Sequence, residues 1–128
     1  MIYIDSSVAL AYLLAESRVP AAAFWNMGLV SSRLLEYEVW NRIPARQLER
    51  SLRSKARALL TGVQLIELSE RVLARALEPW PTALRTLDAL HLATVEHLRS
   101  QGGSVELASY DTRLAAAAQA LGIPLAAL

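Results

Sequence analysis

Short apolar runs rich in β-branched residues alternate along this chain with longer stretches whose apolar positions recur every three or four residues. Ile2-Tyr3-Ile4 reads as a brief strand, and Ser6 or Ser7 can cap a helix holding Val8 to Leu14. Pro20 suits the first turn of a short helix through Trp25. Leu29-Val30 is a second strand, followed by a helix from Arg33 to about Ile43 that Ser31 or Ser32 can cap. Pro44 interrupts that helix or begins the next, which runs to Leu60 and stops at Gly62. Val63 to Leu68 alternates as a strand does, and Ser69-Glu70 opens a helix toward Glu78. Pro79-Trp80-Pro81 breaks the chain, after which Thr86 can cap an amphipathic helix from Leu87 to Gln101. Ser104 to Ser109 is a strand, Asp111 or Thr112 caps a last helix through Leu121, and Ile123 to Leu125 fits an edge strand. Strands separated by helices imply βαβ units, a mostly parallel sheet covered on both faces, and the α/β class.

Composition narrows the picture. At 128 residues and 54% apolar, the chain suits one domain, residues 1–128, with a core that needs no disulfides. Cysteine is absent, which excludes disulfides, thiolate metal sites and cysteine nucleophiles together. The longest apolar run, Val8 to Ala15, is eight residues, against about 20 for a membrane span. The opening Met-Ile-Tyr-Ile-Asp carries an acid where a secretory signal would carry bases, so a cytoplasmic, membrane-free location is expected. The net charge is only +1, yet residues 33–57 hold seven bases against three acids. Twelve of the thirteen bases are arginine, the residue suited to bidentate phosphate or carboxylate contacts.

The candidate chemistry lies in the acids. The three aspartates, Asp5, Asp88 and Asp111, fall after predicted strands or at a helix start, and Glu38 lies in a helix leaving the same rim. In an open parallel sheet these places converge beyond the strand carboxyl ends, where ligands bind. Each also has a structural reading: Asp111 as an N-cap, Asp88 as a dipole partner, Glu38 paired with Arg42 one turn on. Two carboxylates about 5 Å apart repel by roughly 3 kcal/mol at an effective dielectric near 20, so a cluster must share protons or take up a cation. With oxygen ligands alone, Mg²⁺ or Mn²⁺ is the natural occupant, and zinc is disfavoured. His91 and His97 lie six residues apart on one helix, well apart around its axis.

The segments Tyr3-Ile4-Asp5-Ser6-Ser7, Ser31-Ser32 with Glu38, Leu87-Asp88-Ala89-Leu90-His91-Leu92-Ala93 and Ser109-Tyr110-Asp111-Thr112-Arg113-Leu114 together resemble a PIN domain of the VapC toxin type. That resemblance implies a three-layer α/β/α sandwich with four or five short strands. It also implies a Mg²⁺- or Mn²⁺-dependent endoribonuclease that inhibits translation, leaves 5′-phosphate and 3′-hydroxyl ends, and is neutralised by a cognate VapB-type antitoxin. Carried over by position, Asp5, Glu38, Asp88 and Asp111 match the family's acidic quartet. Ser7 and Ser109 match its small hydroxyl positions, which orient a carboxylate or a water. Glu36 competes with Glu38 for the second place; Val39-Trp40 after Glu38 resembles the family's apolar continuation. The arginine common three residues after this glutamate is replaced by Asn41, with Arg42 beside it. His91, one turn after Asp88, reads as a packed or supporting residue.

Arg46, Arg50, Arg53 and Arg57 are spaced four, three and four apart and share one helix face, with Leu48 and Leu52 marking the buried one. The stripe is a solvated face, a phosphate track for RNA, or a seat for an acidic antitoxin segment. Arg85 and Arg113 flank the motif acids as further phosphate contacts. The apolar tail Leu125 to Leu128 hints at burial by a second subunit, and so at a homodimer. The competing readings are a phosphatase or phosphoacceptor domain, or a PIN-like scaffold without catalysis. A dehalogenase-like phosphatase needs an aspartate where Ser7 stands, and a receiver domain needs a late lysine, whereas Lys55 sits mid-chain.

Overall fold

The computed structural model describes residues 1–43 and 50–128. Four strands, β1 (Ile2–Ile4), β2 (Leu29–Ser32), β3 (Val63–Ile66) and β4 (Glu106–Ala108), form one sheet in the order β3-β2-β1-β4, with every pairing parallel. The helices are α1 (Ser6–Leu13), α2 (Leu34–Arg42), α3 (Arg50–Thr61), α4 (Glu70–Ala76), α5 (Thr86–Ser100) and α6 (Thr112–Ala120), with a short 3₁₀ helix at Ala22–Asn26. The α/β reading holds, and from β1 to α6 the order of strands and helices is the one the pattern implies.

Side-chain alternation along the strands makes the layers. Ile2, Ile4, Leu29 and Ala108 point to one face and pack against Val8, Leu13, Leu35, Val39, Ala56 and Leu59 of α1, α2 and α3. Tyr3, Val30 and Leu107 point to the other, against Leu92 and Val95 of α5 and Leu114, Ala117 and Ala118 of α6. Helix α4 packs on α5, where Arg75 pairs with Glu96 at 2.7 Å. Gly122, at φ +74°, turns the chain back after α6: its N–H donates to Gln119 O and that of Ile123 to Ala118 O.

Several boundaries differ from the sequence reading, α2 among them: Arg33, not Ser31 or Ser32, holds its cap position, with no side-chain bond. Asp5, not Ser6 or Ser7, caps α1, because its carboxylate accepts from the Ser7 and Val8 amides. Thr86 begins α5 rather than capping it; Arg85 holds the cap position with no side-chain bond. Residues Ile123 to Leu125 make a single parallel bridge, Leu107 to Leu125, rather than a strand. Leu125 and Ala126 pack partly buried within the chain while Ala127 and Leu128 are exposed, so half of the apolar tail is used internally. Pro44, Arg46 and Leu48 lie outside the described residues. Among the described residues, no helix is long and apolar enough to cross a membrane.

Candidate active site

The strand order reverses direction at β1: β2 and β3 lie on one side of it and β4 on the other. The crevice of a parallel sheet opens at such a switch point, beyond the strand carboxyl ends. Asp5 follows β1 there, and Ser109 to Asp111 follow β4. The first turn of α5 brings Asp88, and α2, leaving β2, brings Glu38. These four acids line one cleft of about 270 Å³ with Ser6, Ser7, Arg42, Arg85 and His91.

Asp5 is the fixed point. It is 4% exposed, and its Oδ1 accepts from Ser7 Oγ at 2.5 Å and from the Ser7 and Val8 amides at 3.1 and 3.4 Å. Its Oδ2 accepts from Ser109 Oγ at 2.6 Å. The same hydroxyls accept in turn from the next loop: Tyr110 N–H donates to Ser7 Oγ at 2.9 Å and Asp111 N–H to Ser109 Oγ at 3.0 Å. Two serines thus bolt the end of β1 to the end of β4. Burial pushes the Asp5 carboxyl up from the usual aspartate value, against the lowering hydrogen bonds from Ser109 and Ser7.

Asp88 and Asp111 are half-buried. Asp111 caps α6, its Oδ1 accepting from the Arg113 and Leu114 amides. Burial pushes Asp88 up first, then the negative charge of Asp111 and, less, that of Asp5; His91 and Arg85 pull it down. Glu38 is 7% exposed and engaged on both oxygens: Oε1 with His91 Nε2 at 2.5 Å, Oε2 with Ser6 Oγ at 2.9 Å. Burial raises its pKa, but the His91 contact, Ser6 and Arg42 outweigh that and hold it below the usual glutamate value. Glu36 points elsewhere, 3.5 Å from Arg33, along a separate groove.

Among the described residues, no three acidic or histidine side chains are already gathered closely enough to cage an ion. The acids nevertheless fit a hard divalent cation: they offer carboxylate oxygens, and the negative charges of Asp111 and Asp5 push the Asp88 carboxyl up. A cation between them would relieve that repulsion.

The arginines divide. Arg85 lines the cleft and so does Arg42, which the sequence offered only as a partner for Glu38, four residues earlier. Arg50, Arg53 and Arg57 lie exposed on α3 and Arg113 exposed on α6; none of the four lines this cleft. Arg57 borders the Glu36 groove, with Trp40 and Leu65. Arg46 is outside the described residues. Sequence reasoning missed Ser6, whose only signal was its place beside Asp5, and Tyr3, which reads as plain core.

Comparison with known proteins agrees with this architecture. The family model described as PIN domain matches residues 2–126. Ribonuclease VapC46 of Mycobacterium tuberculosis (strain ATCC 25618 / H37Rv) is 34% identical, over 98% of this chain and 96% of the relative. Ribonuclease VapC47 of the CDC 1551 / Oshkosh strain is 29% identical, over 95% of this chain and 93% of the relative. Ribonuclease VapC35 of that strain is 30% identical, over 99% and 96%. The sequence motifs, the all-parallel sheet with its acid-lined switch point, and these near full-length matches agree: the chain belongs to the PIN domain family and is similar to ribonucleases of the VapC type.

Proposed function

We propose that this chain is a divalent-cation-dependent endoribonuclease and the toxin of a toxin–antitoxin pair. The observation that carries the reading is the convergence of Asp5, Glu38, Asp88 and Asp111, from four separate segments, on one cleft at the sheet's switch point. Asp5, Asp88 and Asp111 would hold Mg²⁺ or Mn²⁺, with Glu38 beside them. A bound ion of this kind supplies positive charge to the scissile phosphodiester and acidity to a water.

The protein's own groups then have separable tasks. Ser7 and Ser109 favour the ionised form of Asp5 against the effect of burial and aim it, since each donates to one of its oxygens. Glu38, held below its usual pKa, is a fixed acceptor able to orient a water. Arg42 and Arg85 supply the positive charge that lets a polyanion approach an acidic cleft. The α3 arginines lie farther out and lead RNA in through phosphate contacts.

The relatives' names support an RNA substrate, the family resemblance supports a cognate antitoxin, and a homodimer in the cytoplasm completes the proposed reading. Exposed Leu73, Leu77 and Leu87 provide apolar surface that such association would cover. The test is cleavage of RNA by purified protein. Chelation with EDTA should stop it and Mg²⁺ or Mn²⁺ restore it; cleavage that persists in chelator refutes the mechanism. A folded protein inert in both ions would instead fit the scaffold reading.

A further inference from the structure

From the cleft wall runs a buried polar line of which the mechanism above uses only Glu38. Tyr3, His91 and Glu38 are 0%, 2% and 7% exposed and come from β1, α5 and α2. Tyr3 Oη lies 2.6 Å from His91 Nδ1, and His91 Nε2 lies 2.5 Å from Glu38 Oε1. The Ser32 amide donates to Tyr3 Oη at 3.1 Å, which anchors the far end to β2.

Hydrogen counting gives the line a direction. An ionised Glu38 only accepts, so His91 Nε2 must carry a hydrogen. Tyr3 Oη already accepts from Ser32, and its own hydrogen is available to His91 Nδ1. The sequence runs Ser32 N–H to Tyr3 Oη, Tyr3 O–H to Nδ1, Nε2–H to Glu38 Oε1, and Ser6 closes it on Oε2. Burying a phenol, an imidazole and a carboxylate together is an expensive way to fill a core, since apolar residues of similar volume pack there at less cost. What the line delivers is a carboxylate whose two oxygens are each fixed by one donor, with remaining lone pairs open to the cleft.

We infer that His91 is a positioning residue of the nuclease, acting through Glu38: with Tyr3 it forms a strut that sets the Glu38 carboxylate against the aspartates. The strut ties Glu38 to the elements that carry the other acids, because Asp5 ends the strand bearing Tyr3 and Asp88 opens the helix bearing His91. This rests on the nuclease reading, and its test separates the two.

Long-range ¹⁵N correlation spectra of the metal-free protein read the His91 tautomer without any reaction. The expected result is a protonated Nε2 in the wild type, with that preference loosened in Tyr3→Phe. A bare Nε2 overturns the strut whether or not the protein cuts RNA. Kinetics then read the role. His91→Leu removes the donor and should lower kcat about tenfold or more, the usual range for losing an outer partner of a metal-site ligand. KM for RNA should stay within about twofold, because His91 is 2% exposed and both its ring nitrogens are taken by Tyr3 and Glu38. His91→Gln can return an N–H to Glu38 and should recover most of kcat even where its melting temperature is the lower of the two variants. In the Glu38→Gln background the His91→Leu change should cost little further. Activity that follows thermal stability rather than the presence of the donor overturns the proposal. Wild type inert toward RNA in both ions would sink the nuclease reading, and the reaction role of His91 with it, while the tautomer would stand.

Discussion

Replacing Ser7 with alanine removes a single hydroxyl and probes the clamp that orders the cleft. That hydroxyl donates to Asp5 Oδ1 at 2.5 Å and accepts from the Tyr110 amide at 2.9 Å, beside a carboxylate only 4% exposed. A hydrogen bond to a charged group contributes about 1.5–3 kcal/mol, and a buried amide left without a partner costs about 1–3 kcal/mol. Asp5 keeps Ser109 Oγ and two backbone amides, which softens the first loss. The expected destabilisation is therefore about 2–4 kcal/mol at neutral pH. Unfolding entropy near 2.1 cal/mol/K per residue, over 128 residues, converts this to a fall in Tm of about 8–15 °C. The pH dependence has a definite sign. The Ser7 hydroxyl favours ionised Asp5, so its loss raises a pKa that burial already holds high. The penalty is full above that raised value and shrinks toward about 1 kcal/mol, that of a neutral hydrogen bond, as pH falls through it. Melts followed by circular dichroism in chelator, from pH 8 down to pH 4, measure both. A difference below about 1 kcal/mol at pH 8, or one that grows as pH falls, would refute the clamp.

Three further outcomes are expected. Asp88→Asn should reduce RNA cleavage to background while stabilising the metal-free fold by about 0.5–1 kcal/mol, a modest figure because the half-buried group is partly screened; wild-type cleavage by this variant would remove Asp88 from the site. Mn²⁺ affinity, followed by calorimetry in steps from pH 7 to 5, should weaken as pH falls, starting above the ordinary aspartate range, because protons compete for Asp5 and Asp88 at their raised values; constant affinity contradicts this. Exchanging Arg50, Arg53 and Arg57 for glutamine should weaken RNA binding and flatten its salt dependence, by about 0.7 in log–log slope for each lost contact to a single strand. An unchanged slope in a binding assay makes the stripe a solvated face.

The parts legible in the sequence were those set by local chemistry. Strand–helix alternation gave the α/β class, and Asp111 beside two backbone amides reads as a cap in either description. Caps failed where several candidates stood together: Asp5, Ser6 and Ser7 all qualify, and only the close of β1 against β4 makes Asp5 the one turned into α1. Helix phase separates Glu36 from Glu38, two positions and about 200° apart, but which phase faces the cleft is decided by how α2 lies on the sheet. The contact between Tyr3 and His91 spans 88 residues, and nothing local marks it. A tyrosine in a β-branched strand looks like core, which it is, with its hydroxyl at work besides. That Arg50, Arg53 and Arg57 share a helix face follows from spacing, whereas their position away from the acids depends on α3 packing against α1 rather than at the strand ends.

The claim on which most depends is that acids brought from distant segments hold one divalent ion. Calorimetric titration of MnCl₂ into chelator-treated protein tests it without RNA, an antitoxin or a second subunit. Asparagine at Asp5 can still cap α1 and at Asp88 keeps the side-chain shape in the first turn of α5, while Glu36→Gln removes a carboxylate that lies outside the cleft. The account predicts saturable binding to wild type and to Glu36→Gln, with loss in both Asp5→Asn and Asp88→Asn. Binding of Mn²⁺ to Asp5→Asn and Asp88→Asn as tight as to the wild type would contradict it.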